Sequence, residues 1–296
     1  MKNGVIILNK GAGLSSQSAV TRIKRLFSEP KAGHTGTLDP LATGVLPILL
    51  GRGVKASEYM LTSDKHYTAT LTLGITTDTE DITGEVLTKC DTLPTEEEVL
   101  SKIKDFVGSY LQTPPMYSAL KISGKKLCDL ARRGVTVERE PREVFIHSIE
   151  AERLSERDYK LAVHSSKGTY IRTLCADIGK ALGVGGIMST LERSEASGFL
   201  ISESHTLEEL EAMSEEEREG AIVPLSELFS RLGYTRLDLS GRAARLFRNG
   251  VTVEVEENFS DGERIAIYDG GELVAVGEAI SLDGKTTVKP IKQFII

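Results

Sequence analysis

The alternation of apolar and polar residues predicts strands with one buried face. Residues 67–73 alternate strictly and place Tyr67 on the apolar face, which is the pattern of a half-buried strand. Residues 158–165 show a similar pattern, and the short apolar run at residues 5–8 predicts a first strand near the start of the chain.

Other segments have apolar residues at helical spacing. Ser15 or Ser16 is expected to cap the first of these helices. The capping-box sequence at residues 95–98 starts a second helix, which Gly108 is expected to close. Residues 169–182 predict a third helix, so the chain is expected to mix helices and strands.

The pattern changes after about residue 230. Residues 240–249 predict a short helix, and the turn at residues 269–271 predicts a hairpin. The β-like runs around them are residues 251–255, 264–268 and 273–276. We therefore expect two domains, residues 1–230 and a small β-rich domain of residues 231–296.

The composition is that of an ordinary globular protein. The chain of 296 residues is 40% hydrophobic and has no apolar run near the ~20 residues that span a bilayer. Its apolar start is too short for a signal peptide, so a cytoplasmic protein is expected. The three cysteines are far apart and the five histidines are scattered, so neither a disulfide framework nor a metal site is expected.

The net charge of −7 is unevenly distributed. Residues 201–220 contain eight glutamates and one arginine, which accounts for the whole net charge, whereas residues 1–35 and 119–143 carry an excess of Lys and Arg. Affinity for RNA depends on local basic surface rather than on net charge. The two basic segments are therefore compatible with RNA binding, and equally with an ordinary solvated face.

The run at residues 33–44 holds a single carboxylate in a rigid setting. Pro40 disfavours the helical region for Asp39, and the surrounding glycines permit backbone shapes that other residues resist. An apolar segment follows directly. Asp39 is therefore a candidate for chemistry, although an Asp-Pro pair in a glycine-rich segment is more often a simple turn.

The same run resembles the catalytic motif of the bacterial tRNA pseudouridine-55 synthases, the TruB family. Further segments resemble motifs of this family in the same order, and the resemblance covers residues 3 to about 200. These segments are residues 9–16, 65–67, 114–121 with 124–127, 168–174 and, less closely, 189–199. Gly11 stands where the family usually has proline, Glu192 where it has a basic residue, and Ser194 where it has threonine.

The resemblance implies an α+β fold, with a mixed-sheet pseudouridine synthase catalytic domain and a small, β-rich, PUA-like RNA-binding domain. It implies an isomerase that converts uridine 55 in the T-arm stem-loop of tRNA to pseudouridine. No cofactor is required for this reaction, and a monomer without metal or membrane contact is expected. The target base is stacked in folded RNA, so the enzyme must flip it out.

The resemblance also assigns roles to site residues. Asp39 is the nucleophile, Arg172 holds and orients its carboxylate, Tyr67 packs on the base and assists proton transfer, and His34 fills the space that the base leaves. From the pattern alone, Arg172 reads as a surface arginine, Tyr67 as a core tyrosine and His34 as a turn histidine. The further RNA or base contacts expected are Lys10, Tyr170, Leu191, Lys121, Lys125 and Lys126.

Two other functions remain open from the sequence. One is a non-catalytic protein that binds or folds tRNA on the same scaffold. The other is a related synthase that acts on ribosomal RNA or works with a guide RNA. The presence of Asp39, Tyr67 and Arg172 disfavours an inactive enzyme, and the chain's own basic segments favour action without a guide.

Overall fold

The computed structural model describes residues 2–122, 124–282 and 284–294. Its strands form two larger sheets and two small hairpins. The strands are β1 (Gly4–Lys10), β2 (Ala32–His34), β3 (Thr43–Leu50), β4 (Lys65–Leu73), β5 (Ile75–Thr77), β6 (Val86–Lys89), β7 (Gly108–Gln112), β8 (Lys121–Ile122), β9 (Lys125–Lys126), β10 (Arg142–Arg153), β11 (Asp158–Ser165), β12 (Gly186–Ala196), β13 (Phe199–Leu200), β14 (Thr235–Asp238), β15 (Val253–Val255), β16 (Arg264–Asp269), β17 (Glu272–Leu282) and β18 (Lys285–Gln293).

The α-helices are short and lie between the strands. They are α1 (Ser16–Leu26), α2 (Ser57–Met60), α3 (Glu96–Lys104), α4 (Leu127–Ala131), α5 (Ile171–Ala181), α6 (Leu207–Ala212), α7 (Glu215–Gly220), α8 (Leu225–Arg231) and α9 (Gly241–Arg248), with 3₁₀ turns at Gly51–Ala56 and Ile201–Glu203. Among these described helices none is long and apolar enough to cross a membrane.

The larger sheet is mixed. Its nine strands follow the order β1-β3-β12-β4-β11-β10-β7, with β2 paired to β3 and β13 paired to β12. The contact between β3 and β12 is parallel, and the other pairs in this sheet are antiparallel. This order places β3, which follows the Asp39 loop, beside β12, which carries Leu191, and one strand away from β4, which carries Tyr67. The mixed sheet with surrounding helices confirms the predicted α+β class.

Strand β1 is buried on both faces, and its residues alternate between two apolar clusters. Ile6 and Leu8 belong to the main core, which α1 and α5 cover. Val5 and Ile7 belong to a second cluster that also contains Phe229 of α8 and residues of the second sheet. The second sheet is thereby packed against the first.

The second sheet has five strands in the order β14-β16-β17-β18-β15. Helix α9 packs on it through Phe247 and Ala244, and β16 and β17 form the predicted hairpin. The separate domain of residues 231–296 stays a prediction, since nothing in the arrangement of the strands fixes where one domain ends.

The helices match the predicted positions, with shifts at their ends. Ser15 caps α1 by accepting a hydrogen bond from the Ser18 amide, and Thr95 with Glu98 forms the predicted capping box of α3. Helix α3 ends at Lys104, because the chain turns and then enters β7 at Gly108 with φ of +105°. Helix α5 begins two residues later than predicted.

The strand predictions at β1, β4 and β11 are confirmed. Residues 121–131 form a short hairpin of β8 and β9, followed by α4; Ser123, between the two strands, lies outside the described residues. Residues 187–191 lie within β12, in the middle of the larger sheet.

Candidate active site

The loop that carries Asp39 joins β2 to β3 and is fixed on both sides of the carboxylate. On one side, the Leu38 amide donates to the Ser16 hydroxyl, which in turn donates to the Leu38 carbonyl, both at 2.9 Å. On the other side, the Gly13 amide donates to the Pro40 carbonyl at 2.7 Å. The loop before α1 therefore holds Asp39 in one position, although Gly11 stands in that loop where the TruB family usually has proline.

The loop enters β3 through Gly44, which lies against the backbone of Arg193 in β12. Gly44 has a φ of +97°, and a Cβ there would lie 2.3 Å from the Arg193 carbonyl oxygen. Arg193 is fully buried, and its guanidinium donates to the carbonyls of Val45 and Gly36. One arginine thus ties both ends of the Asp39 loop to the central sheet.

Arg172 holds the Asp39 carboxylate with two hydrogen-bond donors. Its Nε lies 2.8 Å from Oδ2 of Asp39, and its Nη2 lies 3.2 Å from Oδ1. The Arg172 side chain is 4% exposed, whereas that of Asp39 is 30% exposed. The pair is therefore a bidentate ion pair in which the carboxylate is the more exposed partner.

Arg172 is itself fixed by three further groups. Its Nη1 donates to the Thr79 carbonyl at 3.0 Å, and its Nη2 donates to the Tyr117 carbonyl at 2.7 Å. A second carboxylate, Asp81, lies 3.7 Å from Nη1 and is almost fully buried. Because every side of the guanidinium is occupied, it has little freedom to leave Asp39.

Burial raises the pKa of Asp39 above its ordinary value, and the Asp81 carboxylate adds to this rise. The positive charge and hydrogen bonds of Arg172 oppose it, as does the ammonium of Lys10. The anion is thus held in a partly dry setting by charges fixed behind it. A carboxylate in this condition is poorly hydrated and available to react.

Asp39 lies in a cavity of about 1090 Å³ that Tyr67 lines from β4. The ring of Tyr67 is 9% exposed and packs with the main core. No side chain in the described part of the protein hydrogen-bonds to its hydroxyl. The cavity therefore presents an aromatic face and a free hydroxyl on the same side chain.

His34 lines the same cavity from β2. Its Nδ1 is buried and has no hydrogen-bond partner among the described residues. Burial lowers the pKa of His34, and the charge of Arg193 lowers it further. The ring is thus a neutral imidazole in the cavity lining with one buried, unpartnered nitrogen, a state that favours a contact with a ligand.

Lys10 does not lie where the sequence placed it. It was expected to contact RNA, but it is fully buried, and its ammonium donates to the carbonyls of Gly11, Leu14 and Pro40. Burial lowers its pKa to about 8. Its structural role is to tie the loop before α1 to the Asp39 loop, and a direct RNA contact does not fit this burial.

The other predicted contact residues lie on or near the cavity. Tyr170 caps α5 and lines the cavity, as does Leu191 of β12. Lys121, Lys125 and Lys126 are exposed on the β8–β9 hairpin, and Lys126 reaches the cavity lining. Lys126, Arg132, Arg142 and Lys167 form a basic rim of the cavity, and Lys121 and Lys125 lie outside its lining.

The sequence reasoning missed three residues that shape the site. Asp81 and the Tyr117 carbonyl orient Arg172, and Arg193 anchors the Asp39 loop. Asp81 stands in the polar run at residues 77–84, where hydroxyl residues surround it. That run is the signal that would have led to it, because a buried carboxylate needs nearby hydrogen-bond donors.

Comparison with known proteins agrees with this geometry. The family described as "TruB family pseudouridylate synthase (N terminal domain)" matches residues 24–171, and "tRNA pseudouridylate synthase B C-terminal domain" matches residues 172–230. Two relatives are named tRNA pseudouridine synthase B. The one from Alkaliphilus oremlandii is 40% identical over 93% of this chain and 92% of its own length. The one from Methylobacillus flagellatus is 44% identical over 80% of this chain and 78% of its own length.

Solved structures show the same fold. A structure described as a Cbf5-Nop10-Gar1 complex matches with a TM-score of 0.75 and 28% identity, over 99% of this chain and 85% of that one. Another, described as an H/ACA RNP bound to a substrate RNA containing 2'-deoxyuridine, matches with a TM-score of 0.74 and 26% identity, over 99% and 85%. The fold and these matches define the chain as a pseudouridine synthase. Within that class, it belongs to the TruB family.

Proposed function

We propose that the protein converts uridine 55 in the T-arm of tRNA to pseudouridine. The observation that carries this proposal is the Asp39 carboxylate, which the buried Arg172 holds from behind at the edge of a cavity lined by Tyr67. Membership of the TruB family and the names of the curated relatives support the substrate. A non-catalytic role is not favoured, because a buried ion pair of this kind is not needed for binding alone.

Asp39 is the nucleophile in the proposed reaction. The isomerisation breaks the bond between N1 of the base and C1′ of the ribose, turns the base, and joins C5 to C1′; C5 loses its proton and N1 gains one. The exposed side of Asp39 is free to meet the nucleotide, while both its oxygens stay bonded to Arg172. This placement suits attack at C1′ or at C6, and equally an elimination to a glycal.

Tyr67 supports the base and assists removal of the C5 proton. Its ring stands at the cavity wall, where a flat base can stack on it. Its hydroxyl is free to accept or relay a proton.

Base flipping brings the uridine to Asp39. His34 lines the cavity with an unpartnered nitrogen, and it is proposed to take the place of the flipped base in the RNA. Its neutral ring suits this exchange, because an uncharged imidazole can stack with the neighbouring bases.

Replacing Tyr67 with phenylalanine tests the proton-transfer role. The ring is kept, so affinity for tRNA should stay within about twofold, while turnover should fall about 10²-fold, the scale of one lost proton-transfer group. Single-turnover tritium release measures the rate, and filter binding measures affinity. Tyr159 of β11 lies outside the cavity lining, and no described residue hydrogen-bonds to its hydroxyl, so Tyr159→Phe is the control variant. Equal rates for Tyr67→Phe and wild type would remove the hydroxyl from the mechanism.

The basic rim is proposed to hold the T-arm by its phosphates, which position the RNA without reading its sequence. Lys121, Lys125 and Lys126 extend this rim as an exposed hairpin. The domain of residues 231–296 is proposed to bind RNA beside it. The enzyme is proposed to act as a monomer in the cytoplasm, without a guide RNA.

Changing Lys121, Lys125 and Lys126 together to glutamine should weaken tRNA binding and reduce its dependence on salt. Each lost phosphate contact lowers the slope of log affinity against log salt by roughly 1, so a decrease of up to about 3 is expected. Titrations over a range of KCl concentrations measure the slope. Lys104→Gln is the control, because Lys104 is exposed on α3, which adds no described residue to the cavity. An unchanged slope would place the T-arm elsewhere.

Release of tritium from tRNA labelled at uridine C5 tests the whole proposal. The mass of the RNA does not change on isomerisation, so loss of the C5 hydrogen is the informative signal. One equivalent released from a tRNA transcript and from a T-arm stem-loop, and none after uridine 55 is replaced by cytidine, would support it. Tight binding without release would favour the non-catalytic alternative, and release only with ribosomal RNA would change the substrate.

A further inference from the structure

Three histidines and one aspartate meet on the outer face of the larger sheet, away from the Asp39 cavity. Oδ2 of Asp64 lies 3.1 Å from Nε2 of His147 and 3.7 Å from Nε2 of His164. The ring of His66 stacks on that of His164, with centroids 4.0 Å apart, and the rings of His147 and His164 are 4.3 Å apart. None of these four described residues lines the cavity.

The sheet itself brings the group together. His66 in β4 is the direct cross-strand partner of His164 in β11, so the two side chains share a face. Strand β10 has an irregularity between Ile146 and Ser148, at which the register against β11 shifts. The extra residue in this bulge is His147, and the bulge turns its ring to the face of His164. Asp64 stands directly before β4.

The positions of the three side chains suit a metal ion. All three ligand atoms of Asp64, His147 and His164 lie within 4.8 Å of one another. Zinc bonds of about 2.0–2.2 Å in a tetrahedral site place neighbouring ligand atoms roughly 3.3 Å apart. The two distances from Asp64 bracket this value, so an ion can be bound with small side-chain movements.

We propose that Asp64, His147 and His164 form a binding site for a divalent transition metal ion of the zinc class, distinct from the catalytic site. Two imidazoles and one carboxylate match the ligand preference of such ions. The side chains are 46%, 34% and 31% exposed, so the ion is reached from solvent and keeps positions for water.

The residues around Asp64, His147 and His164 favour binding of a cation. Glu195 lies 3.6 Å from Nε2 of His66, which adds a second carboxylate beside the site. A divalent ion would be bound by two imidazole nitrogens and one carboxylate oxygen, and its charge would balance the nearby carboxylates. The bound ion links the segments before β4, in β10 and in β11, and it should raise thermal stability.

The spacing of the histidines along the sequence does not indicate this proposed site. The histidines at positions 147 and 164 are far from Asp64 in sequence and become neighbours only through the order β4-β11-β10. A search for ligands close in sequence cannot find a site built across strands.

The test uses the full chain without a histidine tag, stripped of metal by a chelator. Calorimetric titration with ZnCl₂ gives the stoichiometry and affinity, and CoCl₂ gives a visible absorption spectrum that reports coordination. Asp64→Asn, His147→Gln and His164→Gln each remove one ligand. His66→Gln is the matched control, because it keeps a residue in the same stack but removes none of the three ligand atoms.

One ion per chain is expected for the wild type and for His66→Gln, with affinity at least about tenfold weaker in each of the three ligand variants. Zinc should also raise the melting temperature of the wild type and leave that of Asp64→Asn unchanged. Absence of saturable binding by the wild type overturns the proposal. So does binding that Asp64→Asn, His147→Gln and His164→Gln all retain. The wild-type titration decides the matter even where a variant fails to fold.

Discussion

Asp39→Asn is expected to abolish pseudouridine formation while tRNA binding and folding are kept. Asparagine has nearly the same shape and still accepts a hydrogen bond from Arg172, but it carries no negative charge and is a poor nucleophile. Loss of a nucleophile lowers turnover by several orders of magnitude in other enzymes, and a decrease of 10⁴-fold or more, on the order of such cases, is expected here. Tritium release under single-turnover conditions measures it.

The matched control for this variant is Asp105→Asn. Asp105 follows α3, is exposed and pairs with Lys102 on the surface, so its loss should leave the rate within about twofold, as is usual for surface pairs. If Asp39→Asn turned over like the wild type, Asp39 would not be the nucleophile. If it lost tRNA binding as well, its role would be to organise the RNA-binding surface.

Arg172→Lys and Arg172→Ala are expected to separate the geometry of the ion pair from its charge. Lysine keeps a positive charge but cannot bond both oxygens of Asp39, or replace the contacts to Thr79 and Tyr117. Its rate should fall about 10²-fold or more, as for other misplaced catalytic groups. Alanine leaves Asp39 and Asp81 without their shared cation, and should cost about 3–5 kcal/mol in unfolding free energy.

The dependence of the reaction rate on pH is the second measurement on the Arg172 variants. Arg172 lowers the pKa of Asp39 against the rise caused by burial, so its removal raises that pKa further. A carboxylate nucleophile acts only when ionised, and the acid limb of the rate profile should therefore move to higher pH in Arg172→Ala and much less in Arg172→Lys. Arg153→Lys, at an exposed pair with Glu96, is the control. Equal acid limbs in all variants would show that Arg172 does not set the charge of Asp39.

The contact between Asp39 and Arg172 was foreseeable from the resemblance, and only in part from the pattern. From the pattern alone Arg172 reads as a surface arginine, and only the resemblance assigns it to Asp39. The pattern could not show that the guanidinium is buried, because that depends on groups from distant segments, Thr79, Asp81 and Tyr117. Asp81 lies in a turn, where no regular alternation of apolar and polar residues indicates which side chains are buried.

Strand β12 shows why some of the sheet was not predicted. Its pairing with β4 shifts between Met188 and Thr190 and again between Arg193 and Glu195. Each shift interrupts the period of two on which strand prediction relies. Buried Arg193 also breaks the rule that charged residues face solvent, and its guanidinium donates to the carbonyls of Gly36 in the Asp39 loop and Val45 in β3.

Lys10 shows how a predicted contact residue can have a structural role instead. A lysine in a motif shared with RNA-modifying enzymes was taken for an RNA contact, but its ammonium satisfies three carbonyls inside the protein. The positive charge of a lysine does not tell whether it binds a phosphate or fixes a loop. The backbone carbonyls around its ammonium in the folded protein tell the two apart.

The two-sided burial of β1 has a consequence for synthesis of the chain on the ribosome. Val5 and Ile7 are made long before Ala266, Tyr268 and Val276 of the second sheet, which belong to the cluster that covers them. Until those strands leave the exit tunnel, the nascent first sheet carries an uncovered apolar surface that can bind chaperones or other nascent chains. Translation of the second sheet therefore ends this exposure, and termination before that sheet is made would release a chain prone to aggregate.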